Sequence, residues 1–203
     1  MKTFLKIIFI FLLMTTATSV RAQEETQTAG KKPKLASRLV RQSLGIEYIN
    51  WLENFALKTL TNEIGFKAMF YGLSLHYDYS VFKKNDGWGA MAGLINGYGV
   101  AGSQSSDYFQ NRVKLLAAHG GLRYFWRINS RFDIGPSLHL IYKSIQWPAA
   151  ATNQDLQVGP NPLFGAWVDS RFRLSTKWQL TQAVGVFQAN ASMAWRLGAA
   201  YTF

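Results

Sequence analysis

The sequence predicts an all-β chain whose strands close into an eight-stranded antiparallel barrel that crosses a membrane. Three observations carry this. The chain starts with a cleavable export signal. Eight later segments alternate in residue character with period two. Their connections are short at one end and longer at the other.

The 203 residues suit one domain with a tail. There is no cysteine, so disulfides and thiolate metal sites have no place. Aromatic residues at 15% and charged residues at 16% exclude a disordered chain. Beyond residue 14 there is no run of roughly 18 apolar residues, which excludes a bundle of membrane helices. Residues 1–22 read as a secretory signal peptide. Lys2 and Lys6 form a basic start, Ile7 to Met14 an apolar core, and Val20 and Ala22 a small-residue cleavage site. Its removal takes away Lys2, Lys6 and Arg21 and no acid, lowering the formal charge from +11 to +8. Export makes nucleic acid an unexpected partner. A cysteine-free exported chain fits a bacterial envelope.

Residues 23–39 are polar and read as a flexible, periplasmic segment. Lys31, Lys32, Lys34, Arg38 and Arg41 make a basic cluster at its end. Such a cluster is either a solvated linker or a contact for anionic headgroups, each cation near the surface adding about 1 kcal/mol. The barrel is expected over 40–203, with strands at 40–50, 64–82, 88–99, 112–126, 132–147, 162–174, 178–188 and 192–203. Several exceed the five or six residues typical of soluble strands and match the roughly 9–11 of a membrane-crossing strand. In the second strand Met69, Tyr71, Leu73, Leu75, Tyr77, Tyr79 and Val81 share one face, while Gly72, Ser74, His76, Asp78 and Ser80 share the other. Ile64 and Phe66 break that phase, which predicts a bulge or a loop before Met69. The last strand sets Trp195, Leu197, Tyr201 and Phe203 outward against Arg196 and Gly198.

Short turns are expected at 83–87, 127–131 and 175–177, longer loops near 51–63, 100–111 and 148–161, and a tight turn at 188–191. This alternation places both termini on the short-turn, periplasmic side. Aromatics cluster at strand ends: Tyr79, Phe82, Trp88, Tyr124, Trp126, Phe132, Phe172, Trp178, Tyr201 and Phe203 by the short turns, and Tyr98, Trp147, Phe164 and Phe187 by the long loops. Rings favour headgroup depth, so two interfacial belts are expected.

With these elements in place, residues 40–203 resemble the eight-stranded outer-membrane barrels of the OmpA transmembrane-domain and OmpX type. The most specific residues are terminal: Arg196, Gly198, Tyr201 and Phe203 resemble the C-terminal signal read by the barrel-assembly machinery. The resemblance implies an outer-membrane location, outer-membrane lipids as surroundings and that machinery as a partner during biogenesis. No peptidoglycan-binding domain is expected after the barrel. The family also contains lipid-modifying enzymes, and a lipid A deacylase of this shape would carry a His-x-Ser-Asn stretch on the membrane face. His76, His119 and His139 do not match it, and all three share the inward parity. No serine or cysteine completes a triad with His76 and Asp78, so no catalytic residue is assigned.

Pairing across 127–131 sets His119 opposite His139, with His76 at similar depth. The three histidines are weak metal candidates or members of a hydrogen-bonded polar core. No cofactor is expected. The other inward charges are Arg41, Glu47, Lys114, Arg123, Asp133, Lys143, Asp169, Arg171, Arg173 and Arg196. They either line a narrow anion pore or form a salt-bridged plug with His76 and Asp78, the plug being favoured at this strand number. Pairing across 175–177 sets Asp169 opposite Ala183 and Ser170 opposite Gln182. Pairing across 188–191 sets Ala183 opposite Arg196, so Arg196 is expected to reach Asp169 as a forked pair. The same registers set Trp167 against Gly185 and Gly165 against Phe187. Ser170 and Gln182 form a polar pair on the lipid face, bonded to each other or to a partner chain. Tyr108 and Phe109, in a polar loop, are candidate surface contacts. Three functions follow: a structural or surface-interaction barrel, a lipid-modifying enzyme, or a narrow pore.

Overall fold

A computed structural model of the chain describes residues 38–58, 63–83, 85–101, 112–146, 155–157, 161–188 and 193–203. Residues 1–37, which include the expected signal peptide, and Tyr108, Phe109 and Trp147 lie outside them. The described strands are β1 (Arg38–Lys58), β2 (Glu63–Lys83), β3 (Asp86–Ala101), β4 (Val113–Arg127), β5 (Phe132–Gln146), β6 (Asp155–Gln157), β7 (Leu163–Arg173), β8 (Trp178–Phe187) and β9 (Met193–Thr202). All except β6 pair antiparallel with their chain neighbours. β9 pairs back onto β1, with Ser43 opposite Thr202 and Trp51 opposite Ala194, which closes an eight-stranded antiparallel barrel.

Alternation sets the two surfaces. Outward positions are apolar: Leu122 and Leu138, directly opposite each other in β4 and β5, are 65% and 67% exposed. The lumen holds buried Glu47, Asp78, Arg123, Asp169, Arg171 and Arg196. An apolar exterior around a polar interior inverts the usual arrangement of a water-soluble domain and suits a hydrocarbon surround.

Several local expectations are corrected. Residues 51–58 are strand rather than loop. The β1–β2 register runs without a bulge from Lys58–Glu63 to Arg38–Lys83, so the connection between them is residues 59–62. The apparent phase break arises because the lumen itself is apolar at this end, where Ala68 and Phe70 face inward. β1 extends past its last β9 partner and there takes the short β6 as a neighbour, with Leu57 opposite Leu156.

The β4–β5 hairpin is displaced from the expected register. His119 lies opposite Ile141, and His139 opposite Gly121. The turn explains it. The Asn129 side-chain oxygen accepts the N–H groups of Arg131 and Phe132 at 2.8 and 2.9 Å, and the Ile128 N–H reaches the Phe132 carbonyl at 3.0 Å. This Asx-type turn centres on Ser130, one residue later than expected, which shifts every partner by two.

Lys114 faces outward and is exposed, near the end of β4, rather than inward. Phe82 and Phe187, expected in the aromatic belts, are buried in the lumen because they share parity with the inward sets of β2 and β8. Other belt members are outward: Trp88, Trp126, Phe164 and Trp178 are exposed. Trp195, Tyr48 and Tyr71, which were not among the expected belt residues, join Tyr98 in a chain of tilted ring contacts at 5.2–6.4 Å.

Candidate functional site

The lumen is built in layers. At the termini end, Asp133 is buried and receives Arg173 Nη2 on both oxygens, at 2.6 and 2.7 Å. Arg127 Nε stands 3.6 Å and Arg41 Nη1 3.9 Å from the same carboxylate. The Phe82 and Phe125 rings stack behind them at 6.2 Å. The guanidiniums of Arg41 and Arg127 lie over Phe82, and that of Arg171 lies over Phe125.

Next comes Asp78, with Arg123 Nη1 at 2.9 Å and Arg171 Nη2 at 3.3 Å. The Ser80 hydroxyl donates to Asp78 at 2.7 Å and accepts from Arg171. Two cations and a hydroxyl thus surround one buried carboxylate, as burial of a charge requires.

The central layer is organised by Arg196, only 1% exposed. Its Nη2 donates to Asp169 at 2.6 Å, and its Nη1 donates to Glu47 at 3.4 Å. Asp169 lies opposite Ala183, and Ala183 opposite Arg196, so the arginine crosses an alanine-sized gap to reach the carboxylate. The expected fork on Asp169 alone is replaced by a bridge between two carboxylates, because Glu47 on β1 approaches the other arm. Trp167 opposite Gly185 and Gly165 opposite Phe187 fill the lumen large against small.

The three histidines are distributed through this region. His119 Nε2 lies 2.6 Å from the Ser74 hydroxyl, and His139 Nε2 lies 3.1 Å from that of Ser137 and 3.7 Å from Asp169. His76 Nδ1 lies 3.9 Å from Glu47. Each ring occupies space over a cross-strand glycine. A Cβ on Gly45 would meet His76, one on Gly93 would meet His119, and one on Gly121 would meet His139. Among the described residues no group of three His, Cys, Asp or Glu side chains is placed to hold a metal.

Above this the lumen turns apolar. Trp51 stacks on Phe70 at 5.2 Å and meets Phe187 at 6.1 Å, and Trp167 meets Phe187 edge-on at 5.3 Å. Within this layer Lys143 donates to Glu53, both buried. Glu53 was not among the expected lumen residues. The signal for it was the inward period through Ile49, Trp51, Glu53 and Phe55, which runs on inside the segment read as a loop.

The remaining candidate residues lie on the surface. The Ser170 hydroxyl donates to the Gln182 backbone carbonyl at 3.4 Å, and the Gln182 side chain is exposed. In the terminal motif Arg196 and Gly198 face the lumen, whereas Tyr201 packs edge-on against Trp178 at 5.3 Å. Phe203 is 68% exposed, with its N–H bonded to the Gln42 carbonyl at 3.1 Å.

Neither family models nor curated proteins give a match to this chain. Solved structures do. The outer membrane protein OprG from Pseudomonas aeruginosa is 12% identical with a TM-score of 0.51, over 82% of this chain and 97% of that one. The attachment invasion locus protein Ail of Yersinia pestis is 14% identical with a TM-score of 0.45, over 80% and 98%. Neisserial surface protein A is 10% identical with a TM-score of 0.42, over 79% and 95%. Closure of the sheet through β1 and β9, together with the likeness to OprG, gives this chain the fold of a small outer-membrane β-barrel.

Proposed function

We propose that this chain is an integral barrel of the bacterial outer membrane that acts at its surfaces, in a structural or partner-binding role, and does not conduct solutes or carry out catalysis. The carrying observation is the central layer. Arg196 ties β9 to β7 and β1 across the lumen, and Trp51, Phe70 and Phe187 fill the space above it. An eight-stranded barrel is just wide enough for its own side chains, and these take up that width. The apolar exterior supports residence in lipid. The short turns, together with the ends of β1 and β9, support a periplasmic position for both termini. Outer-membrane lipids, the assembly machinery acting on Tyr201 and Phe203, and an unidentified partner at the Tyr108 and Phe109 loop are the proposed contacts.

Planar-bilayer recording tests the closed lumen. The purified protein is expected to show no steady conductance of porin size, and a large, stable conductance would overturn the reading. Lipid A from a deletion strain is expected to match the parent, and an altered acylation pattern would favour an enzyme instead.

A further inference from the structure

The inward charges of the described residues do not cancel evenly along the barrel. Arg123 and Arg171 share Asp78, Arg196 is shared by Asp169 and Glu47, and Lys143 meets Glu53. These four cations face four carboxylates, so the body of the lumen is neutral. At the termini-side mouth Arg41, Arg127 and Arg173 face Asp133 alone. The two uncompensated charges of the lumen are therefore both at the mouth. Asp86, on the outward face, is engaged by the Tyr124 hydroxyl at 2.6 Å.

The three arginines do not serve Asp133 equally. Arg173 takes both carboxylate oxygens, and its Nη1 also donates to the Ser130 carbonyl. Arg41 and Arg127 stand outside hydrogen-bond distance of Asp133, held over the Phe82 ring at 5.2 and 4.7 Å. The Nε and Nη2 atoms of Arg127 are buried without a hydrogen-bond partner. A buried guanidinium edge with no acceptor is costly. Neighbouring guanidiniums repel one another more strongly here than in bulk water. One acceptor carrying two negative charges would relieve both conditions. A tetrahedral oxyanion has enough oxygens to take donors from two guanidiniums at once.

We propose that the mouth binds a phosphate-class dianion between Arg41 and Arg127, with the Arg173–Asp133 pair as its floor. The side chains of Arg41 and Arg127 are 20% and 21% exposed, so the site opens to solvent rather than to the filled lumen. The group is either free inorganic phosphate or the phosphomonoester of a lipid headgroup.

The test is a calorimetric titration of the mature protein in an uncharged glycoside detergent at constant ionic strength. Inorganic phosphate and dihexanoyl phosphatidic acid are titrated in separate arms, with chloride as the balancing salt. Saturable binding of phosphate is expected, weakened about tenfold or more in Arg127→Gln and in Arg41→Gln, as loss of a charge-assisted bond implies. Equal affinity for the two ligands identifies a free ion, and markedly tighter phosphatidic acid identifies a headgroup. Both results support the site. In wild-type protein, phosphate should also slow phenylglyoxal modification of Arg41 and Arg127 while leaving exposed Arg131 unchanged, a readout that needs no variant to fold. No saturable binding of either ligand, binding unchanged in both variants, or no selective protection would overturn the proposal.

Discussion

Arg196 reaches Asp169 at 2.6 Å by crossing the strand that lies between them, where Ala183 leaves the gap. Its other arm reaches Glu47 on the first strand. Removing Arg196 takes the bridging cation from two buried carboxylates, whereas removing Asp169 leaves the arginine Glu47 as its one carboxylate partner. Arg196→Ala is expected to destabilise the barrel by about 3–5 kcal/mol in urea unfolding from lipid vesicles. Asp169→Ala with Arg196→Ala should cost less than the two single changes together. Strictly additive costs would show that the pair is not coupled.

The His139 ring occupies the space over Gly121, where a Cβ would also press on the Leu138 carbonyl. Gly121→Ala should therefore cost about 1–3 kcal/mol through overpacking. Gly65, where a Cβ would meet nothing within 4 Å, is the control, and Gly65→Ala should leave the unfolding midpoint unchanged.

Leu122 lies in the outward apolar band, opposite Leu138. Leu122→Arg should cost up to about 2–4 kcal/mol, because the guanidinium must be carried into hydrocarbon. Lys114→Arg, at an exposed site near the strand end, should be silent in the same assay. Equal tolerance at both positions would show that Leu122 does not face lipid.

Phe203 exposes its ring at the end of β9 while its backbone is already bonded to β1. Phe203→Ala should thus leave the folded barrel's stability nearly unchanged yet lower the yield of membrane-inserted protein in cells. Heat-modifiable migration of membrane fractions reads the second quantity. A normal yield would remove Phe203 from the proposed assembly signal.

Strand number, the outward and inward sets, and the registers of β7, β8 and β9 were legible because polar and apolar residues alternate cleanly there. Asp169, Ala183 and Arg196 could be aligned from the turns alone. Legibility failed where one signal had two causes. Trp51 and Phe70 are apolar because they fill the lumen, not because they meet lipid, so alternation faded, and Glu53 was lost with it. Phe82 and Phe187 sit near strand ends, as belt residues do, but their parity points inward. The β4–β5 register depends on which backbone groups the Asn129 side chain captures, and this cannot be read from the spacing of the strands.

The bridge from Arg196 to Glu47 joins residues separated by 149 positions in the chain. Glu47 lies on the first strand of the barrel and its cation on the last. Until β9 arrives, an open sheet would bring an unneutralised Glu47, and an Asp169 without Arg196, toward the bilayer, where hydrocarbon offers no substitute for water. Entry into lipid is therefore cheap only after the seam between the first and last strands has formed. This favours concerted insertion of a nearly closed cylinder over strand-by-strand entry.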